Sequence, residues 1–389
     1  MNQQTAANPV ERRVVLHFPG FEPLDPKAHH ARYVRSANQS AKVWDVKFDV
    51  SGLRKGDAGS FFDTNCTTTD ARTSGRVFIY DHNELVHHFT DKSLIRRLAA
   101  GYGAAASVVF QGGLFGYFRH AWRFGLFFVF PFLFVAVAIA LSLLIAAFPD
   151  LLGFQRWHLL WSTVLAVLFF TSVFLPFSRR LHTLHLFADW ELAVALANME
   201  DPFVIQWLER CKNSVREALN EEADEYLITS HSMGSSVAAH VIGMLIEEEP
   251  RILAGKRVVF VTLGGAILQC ALLRPATKLR ARVGAIARAK DVFFLEIHCL
   301  TDVIHFYKSR VVALAGHPDA PQAAIATIRM RNMLTTEHYR KIRRDFLRVH
   351  RQYVLGPDLR AAFDFTLMTA GPLPAAAFAH FTQERTAQL

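Results

Sequence analysis

Two uncharged apolar runs in the middle of the chain constrain the fold more than any other feature. Phe124 to Phe148 reads FGLFFVFPFLFVAVAIALSLLIAAF, and Trp157 to Phe177 reads WHLLWSTVLAVLFFTSVFLPF. At about 1.5 Å per residue, each is long enough to cross a hydrocarbon core of about 30 Å. A soluble helix of this length nearly always carries a polar stripe, and neither run has one. The eight residues between them, PDLLGFQR, hold a helix stop, so the pair reads as a two-helix membrane hairpin. The abundance of Phe (33 residues) and a mean hydropathy of +0.18 also point to lipid contact.

Lys and Arg flank the hairpin unevenly. Arg119 and Arg123 precede the first run. Arg179 and Arg180 follow the second, with His182 and His185 just beyond. The connecting loop has only Arg156, offset by Asp150. This bias places both polar flanks on the cytoplasmic side of a two-span membrane protein. The formal net charge of +9 suits an anionic membrane surface. With no zinc-finger spacing, RNA-recognition motif or tight basic block, nucleic acid is not expected as a partner. Cys66, Cys211, Cys270 and Cys299 form no CxxC pair and read as reduced, mostly buried thiols. No Cys/His or HExxH-like spacing predicts a metal, and no P-loop or dinucleotide-binding glycine pattern predicts a cofactor. The opening residues, MNQQTAANPVERR, are polar and do not read as a secretory leader.

Outside the hairpin, β-rich runs alternate with helical patterns. Expected strands are Arg13–Phe18, Val43–Val50, Arg76–Tyr80, Glu225–Thr229, Arg257–Leu263, Val292–His298 and Ala324–Arg331. Expected helices are Lys27–Ala41, Asp91–Ala100, Asp201–Leu219, Ser235–Glu249 and Glu337–Val354. Such alternation predicts an α/β fold, a mostly parallel sheet flanked by helices, with the hairpin inserted into it. The expected organisation is a disordered N-terminus (1–12), a first part of the α/β domain (13–112), the hairpin (113–180) and a second part of the domain (181–389). The polar segment Gly52–Gly75 reads as a long loop.

One stretch carries chemistry. In Ile228–Val237, ITSHSMGSSV, Ser232 sits between an apolar run and a helical one. A nucleophilic serine needs that strand–turn–helix context, because the sharp turn exposes its hydroxyl. Small residues are required on either side, where strand and helix pass closely; Gly234 fills one position and Ser230 the other. The serine also needs an acid, a base and oxyanion donors. Asp302, just past the strand Val292–His298, is the candidate acid. His338 and His350 are rival bases. His338 begins the helix expected after the last strand. His350 lies on the apolar face of that helix, with Tyr339, Ile342, Phe346, Val349 and Tyr353. An unbroken helix would separate the two histidines by about 18 Å; a break would favour His350. His317, or no histidine at all, remains open. The Met233 N–H, with Phe21 or Gly20 in HFPGF, supplies the candidate oxyanion donors. His17, His231 and His240 read as structural.

The motifs HFPGF, SHSMG, TLGG and TDVIHFYK, in this order, resemble those of the α/β-hydrolase superfamily, most closely its lipase- and esterase-like members. The resemblance runs from about Arg13 to about Tyr353, excluding the hairpin. It implies a serine hydrolase that cleaves a lipid or other small acylated ester through an acyl-enzyme on Ser232, with no cofactor. Departures are Ser230 for the first glycine of the turn and HFPGF in place of an HGG-type loop. An acyltransferase or thioesterase would use the same parts. A catalytically silent hydrolase fold serving as an interaction module at the membrane is the alternative from another class.

Overall fold

The computed structural model describes residues 9–389. The sheet is built from β1 (Arg12–Phe18), β2 (Lys47–Val50), β3 (Arg54–Gly56), β4 (Gly59–Thr67), β5 (Arg72–Ile79), β6 (Glu225–His231), β7 (Val258–Leu263), β8 (Val292–Cys299) and β9 (Ala324–Ile328). Its order is β2-β4-β5-β1-β6-β7-β8-β9, with β3 paired to β4. From β5 across to β9 every neighbour is parallel; β2, β3 and β4 pair antiparallel at one edge. The central strands read as continuous apolar runs because helices cover both faces. β6 and β7 are buried at every position.

A buried ion pair at the amino end of the sheet joins distant parts of the chain. Arg13 reaches Glu225 of the neighbouring strand at 2.7 Å, and its guanidinium also donates to the Gly371 and Leu373 carbonyls. Removing one partner of such a fully buried pair costs about 3–5 kcal/mol, since the other charge is left uncompensated.

Five helices matter for the site. α1 (Pro26–Trp44) follows β1. Among the described residues, α2 (Gly113–Leu151) and α3 (Arg156–Arg180) are the two helices long and apolar enough to cross a membrane, with most of their surface uncovered by protein. α4 (Thr183–Asn198) returns the chain to the body, and α5 (Gly234–Glu248) leaves the Ser232 turn. α2 breaks at Ala121 (φ −153°, ψ 75°), between Arg119 and Arg123. Beyond the break, Phe124, Phe128, Phe132 and Val135 pack on the body, where Phe128 meets Trp190 edge-on at 4.7 Å. The far half of α2 pairs with α3 alone; Ser162 donates to the Ala146 carbonyl. Both helices lie in the crossover from β5 to β6, and the strands on either side of them belong to one sheet.

Three expectations need correction. The segment expected as a loop, Gly52–Gly75, contains β3, β4 and the start of β5. Its polar residues are the half-solvated face of an antiparallel edge, while Phe62, Thr64 and Cys66 alternate inward. The strand expected from Val43 begins at Lys47, because α1 runs on to Trp44 and stops at Asp45 in the left-handed region (φ 56°). Of the N-terminal segment expected as disordered (1–12), residues 1–8 lie outside the described residues; Val10 is buried, its N–H donating to the Pro372 carbonyl, and β1 starts at Arg12. All four cysteines are free and buried.

Candidate active site

The carboxyl ends of the parallel strands converge, the usual place for a site in an open α/β sheet. The turn after β1 brings Gly20, Ser232 directly follows β6, Gly264 directly follows β7, and Asp302 lies just past β8. Ser232 adopts φ 52°, a left-handed conformation that costs a non-glycine residue of order 1 kcal/mol and is retained only where the surroundings impose it. The surroundings do so here. A Cβ on Gly234 would lie 2.3 Å from the carbonyl oxygens of Phe18 and Pro19, so no side chain fits there. Ser230, on the other side, fits because its hydroxyl donates to the Val261 carbonyl at 2.9 Å. A serine therefore meets the space requirement at this position.

Asp302 is fully buried. Its Oδ1 accepts from the Ile304 N–H at 3.0 Å, and its Oδ2 meets His350 Nδ1 at 2.7 Å. Burial pushes its carboxyl up, but the charge of His350 and the hydrogen bond from that ring outweigh burial and hold it well below the usual carboxylate range. With Nδ1 donating to the carboxylate, His350 keeps Nε2 as the acceptor, which is buried and has no partner among the described residues. His350 and Ser232 line the same cavity, of about 610 Å³. His231 holds the backbone of His350: its Nε2 donates to the His350 carbonyl at 3.0 Å, and the rings lie 4.7 Å apart. Burial, then the charge of His350, lowers His231 to about 3, so it stays neutral. His305 lies on the other flank of Asp302, 3.6 Å from Oδ2 and held neutral, near 4, mainly by burial.

His338 is elsewhere. The helix expected over Glu337–Val354 splits into Thr336–Ile342 and Phe346–Arg351, and Asp345 caps the second piece by accepting from the Arg348 N–H. The break turns His350 inward and leaves His338 on the surface, its Nδ1 2.8 Å from Asp358. His317 is also apart from Ser232, bonded to the Arg280 carbonyl. Of the two rival bases, the structure brings only His350 to Asp302 and the Ser232 cavity.

The oxyanion candidates fall into place around the turn. Met233 precedes the first turn of α5, and neither its N–H nor that of Phe21 is taken by another group among the described residues. Gly20 lies against the serine: a Cβ there would be 3.5 Å from Ser232 Cβ and 3.0 Å from His231 Nδ1. His185, from α4, holds this turn by donating through Nε2 to the Phe21 carbonyl at 2.8 Å and stacking on the Phe21 ring. In sequence, His185 was only a flank of the second apolar run; its part in the site comes from the chain folding back after α3. Glu22, Asp189 and Gln269, which also line the cavity, gave no motif signal. Asp189 accepts from the Gln269 side chain at 3.0 Å, and burial raises its carboxyl to about 6.

No protein-family model, no curated protein and no solved structure matches this chain.

Proposed function

We propose that the chain is a membrane-anchored serine hydrolase of the α/β-hydrolase type. It cleaves an ester of a lipid or another acylated amphiphile, with its hydrolase body on the cytoplasmic side. The observation that carries this reading is His350: its Nε2 has no partner among the described residues, its Nδ1 is held by buried Asp302, and it lines one cavity with a serine at φ 52°.

In this reading His350 Nε2 takes the Ser232 hydroxyl proton as Oγ adds to the ester carbonyl. The negative charge on the carbonyl oxygen is met by the Met233 and Phe21 N–H groups, supported by the N-terminus of α5. Asp302 stabilises the imidazolium. Collapse breaks the bond to the alcohol, which leaves with the proton from His350. Water, deprotonated by the same nitrogen, then releases the acid from Ser232.

Two features favour a membrane substrate. The cavity is walled in part by Phe127 of α2 and by His182, His185 and Leu186 at the foot of the hairpin. Part of its lining therefore comes from the hairpin and the segment that follows it. The Lys/Arg bias around the hairpin favours the cytoplasmic side. A fluorophosphonate probe on the detergent-solubilised full chain tests the chemistry: wild type labels, and Ser232→Ala does not. A folded wild type that stays unlabelled across pH and detergent conditions sinks the proposal.

A further inference from the structure

The cavity beside Ser232 is lined by two kinds of surface. Phe127, Leu186, Ile304 and Leu347 are apolar, and Phe127 belongs to α2. The turn after β1 and the second half of the cavity rim carry charge instead. Arg32 and Arg35 come from α1, and Arg351 follows directly on His350. Glu22, two residues beyond Gly20, joins two of these: its carboxylate oxygens meet Arg32 at 2.7 Å and Arg351 at 2.6 Å. Burial works against its ionisation, but the two guanidinium charges prevail and hold Glu22 below the ordinary carboxylate range. The lining thus holds three guanidinium groups, of which Arg32 and Arg351 pair with Glu22 and Arg35 is exposed. Arg35 has no hydrogen-bond or ion-pair partner among the described residues. The other acid in the cavity, Asp189, belongs to α4 at the hairpin side and is engaged by Gln269.

We infer that the cavity selects esters whose alcohol part bears a phosphate-type anionic headgroup, held by Arg35 with Arg32 and Arg351. Planar guanidinium forks bind such oxyanions bidentately, and Glu22 pre-orients two of the three. With the acyl carbonyl at Ser232, the chain lies along the apolar lining and the alcohol part reaches the arginines. An amphiphile therefore matches the cavity in both polarity and direction. Phosphate chemistry alone does not distinguish a membrane lipid from a soluble phosphoester.

This inference rests on the serine-hydrolase reading, and the test separates the two. The full chain in neutral detergent is given two matched pairs of esters: monobutyrylglycerol and its 3-phosphate, free in solution, and monooleoylglycerol and its 3-phosphate, in micelles. Fluorophosphonate labelling of Ser232 is measured on the same samples. The expected result is a kcat/KM preference of about tenfold or more for the phosphate-bearing member of both pairs. R35Q cuts that preference to about threefold or less, mainly through KM, and R35K keeps most of it. A preference confined to the oleoyl pair assigns the effect to the micelle surface and overturns the inference. So does an enzyme that labels but does not discriminate within either pair, or an R35Q that retains the full preference. An unlabelled, inactive wild type instead removes the hydrolase reading beneath it.

Discussion

Two histidine–aspartate pairs lie within one short stretch of chain and share little except their hydrogen bond. His338 Nδ1 meets Asp358 at 2.8 Å; His350 Nδ1 meets Asp302 at 2.7 Å. The His338 side chain is 41% exposed and that of His350 6%. Water screens the first pair and makes its net worth about 0–1 kcal/mol. The second pair is buried, its carboxylate is held ionised, and the ring's remaining nitrogen has no protein partner. Bond length therefore does not identify a base. What separates the two is burial of the carboxylate and what the free nitrogen faces.

The largest effect should come from removing the buried side of this comparison. Ser232→Ala or His350→Ala is expected to abolish fluorophosphonate labelling and lower ester hydrolysis by at least about 10³-fold. Asp302→Asn should follow, with a loss of roughly two to four orders of magnitude in kcat and a fold that survives in a thermal scan. If His338→Ala matched either, the assignment of the base would be reversed.

Acid should act next, through the buried histidines around the site and the body. Burial lowers His82, His231 and His240 to about 3. The folded state then binds fewer protons than the unfolded chain below the ordinary histidine value, so stability falls as pH drops from about 6.5 toward 3. Asp302, with its folded value depressed, adds a loss of the same sign at pH below the ordinary carboxylate value. Melting temperature in detergent should drop by several degrees between pH 7 and pH 5 and keep falling. His240→Gln should reduce that slope.

Smaller still is Ser230→Gly. It removes the bond to the Val261 carbonyl and adds backbone freedom, and should cost about 1–2 kcal/mol of stability while labelling persists. The smallest effect belongs to His338→Ala: activity within about twofold and stability within about 1 kcal/mol, measured by ester hydrolysis and denaturant titration.

How much of this was legible in the sequence depends on how local each feature is. The Ser232 turn was, because strand, small residues and helix follow one another directly. Asp302 was, because it comes just after a strong strand. The choice of histidine was not. The apolar spacing of Tyr339, Ile342, Phe346, Val349 and Tyr353 runs through the break at Arg343–Asp345 as though the helix continued. Phe346 is in fact 55% exposed, and the capping role of Asp345 is what ends the regular pattern. β4 escaped for the opposite reason: half its residues face water, so a strand looked like a polar loop. The arginines around Glu22 gave no signal at all, because α1 and the segment after His350 meet only in three dimensions.

The position of the membrane helices in the crossover also sets an order of events during synthesis. When β5 has left the ribosome, β1 can pair with it on one side, but its other edge stays open until Glu225–His231 appears. α2 and α3 are made in that interval. If α2 and α3 enter a bilayer as proposed, a nascent chain meets it before Ser232 is made, and the Ser232 turn is added to a half-sheet already tethered. On the proposed reading, the esterase comes into being at the lipid surface and has no earlier, freely diffusing form to act on the esters of the cytosol.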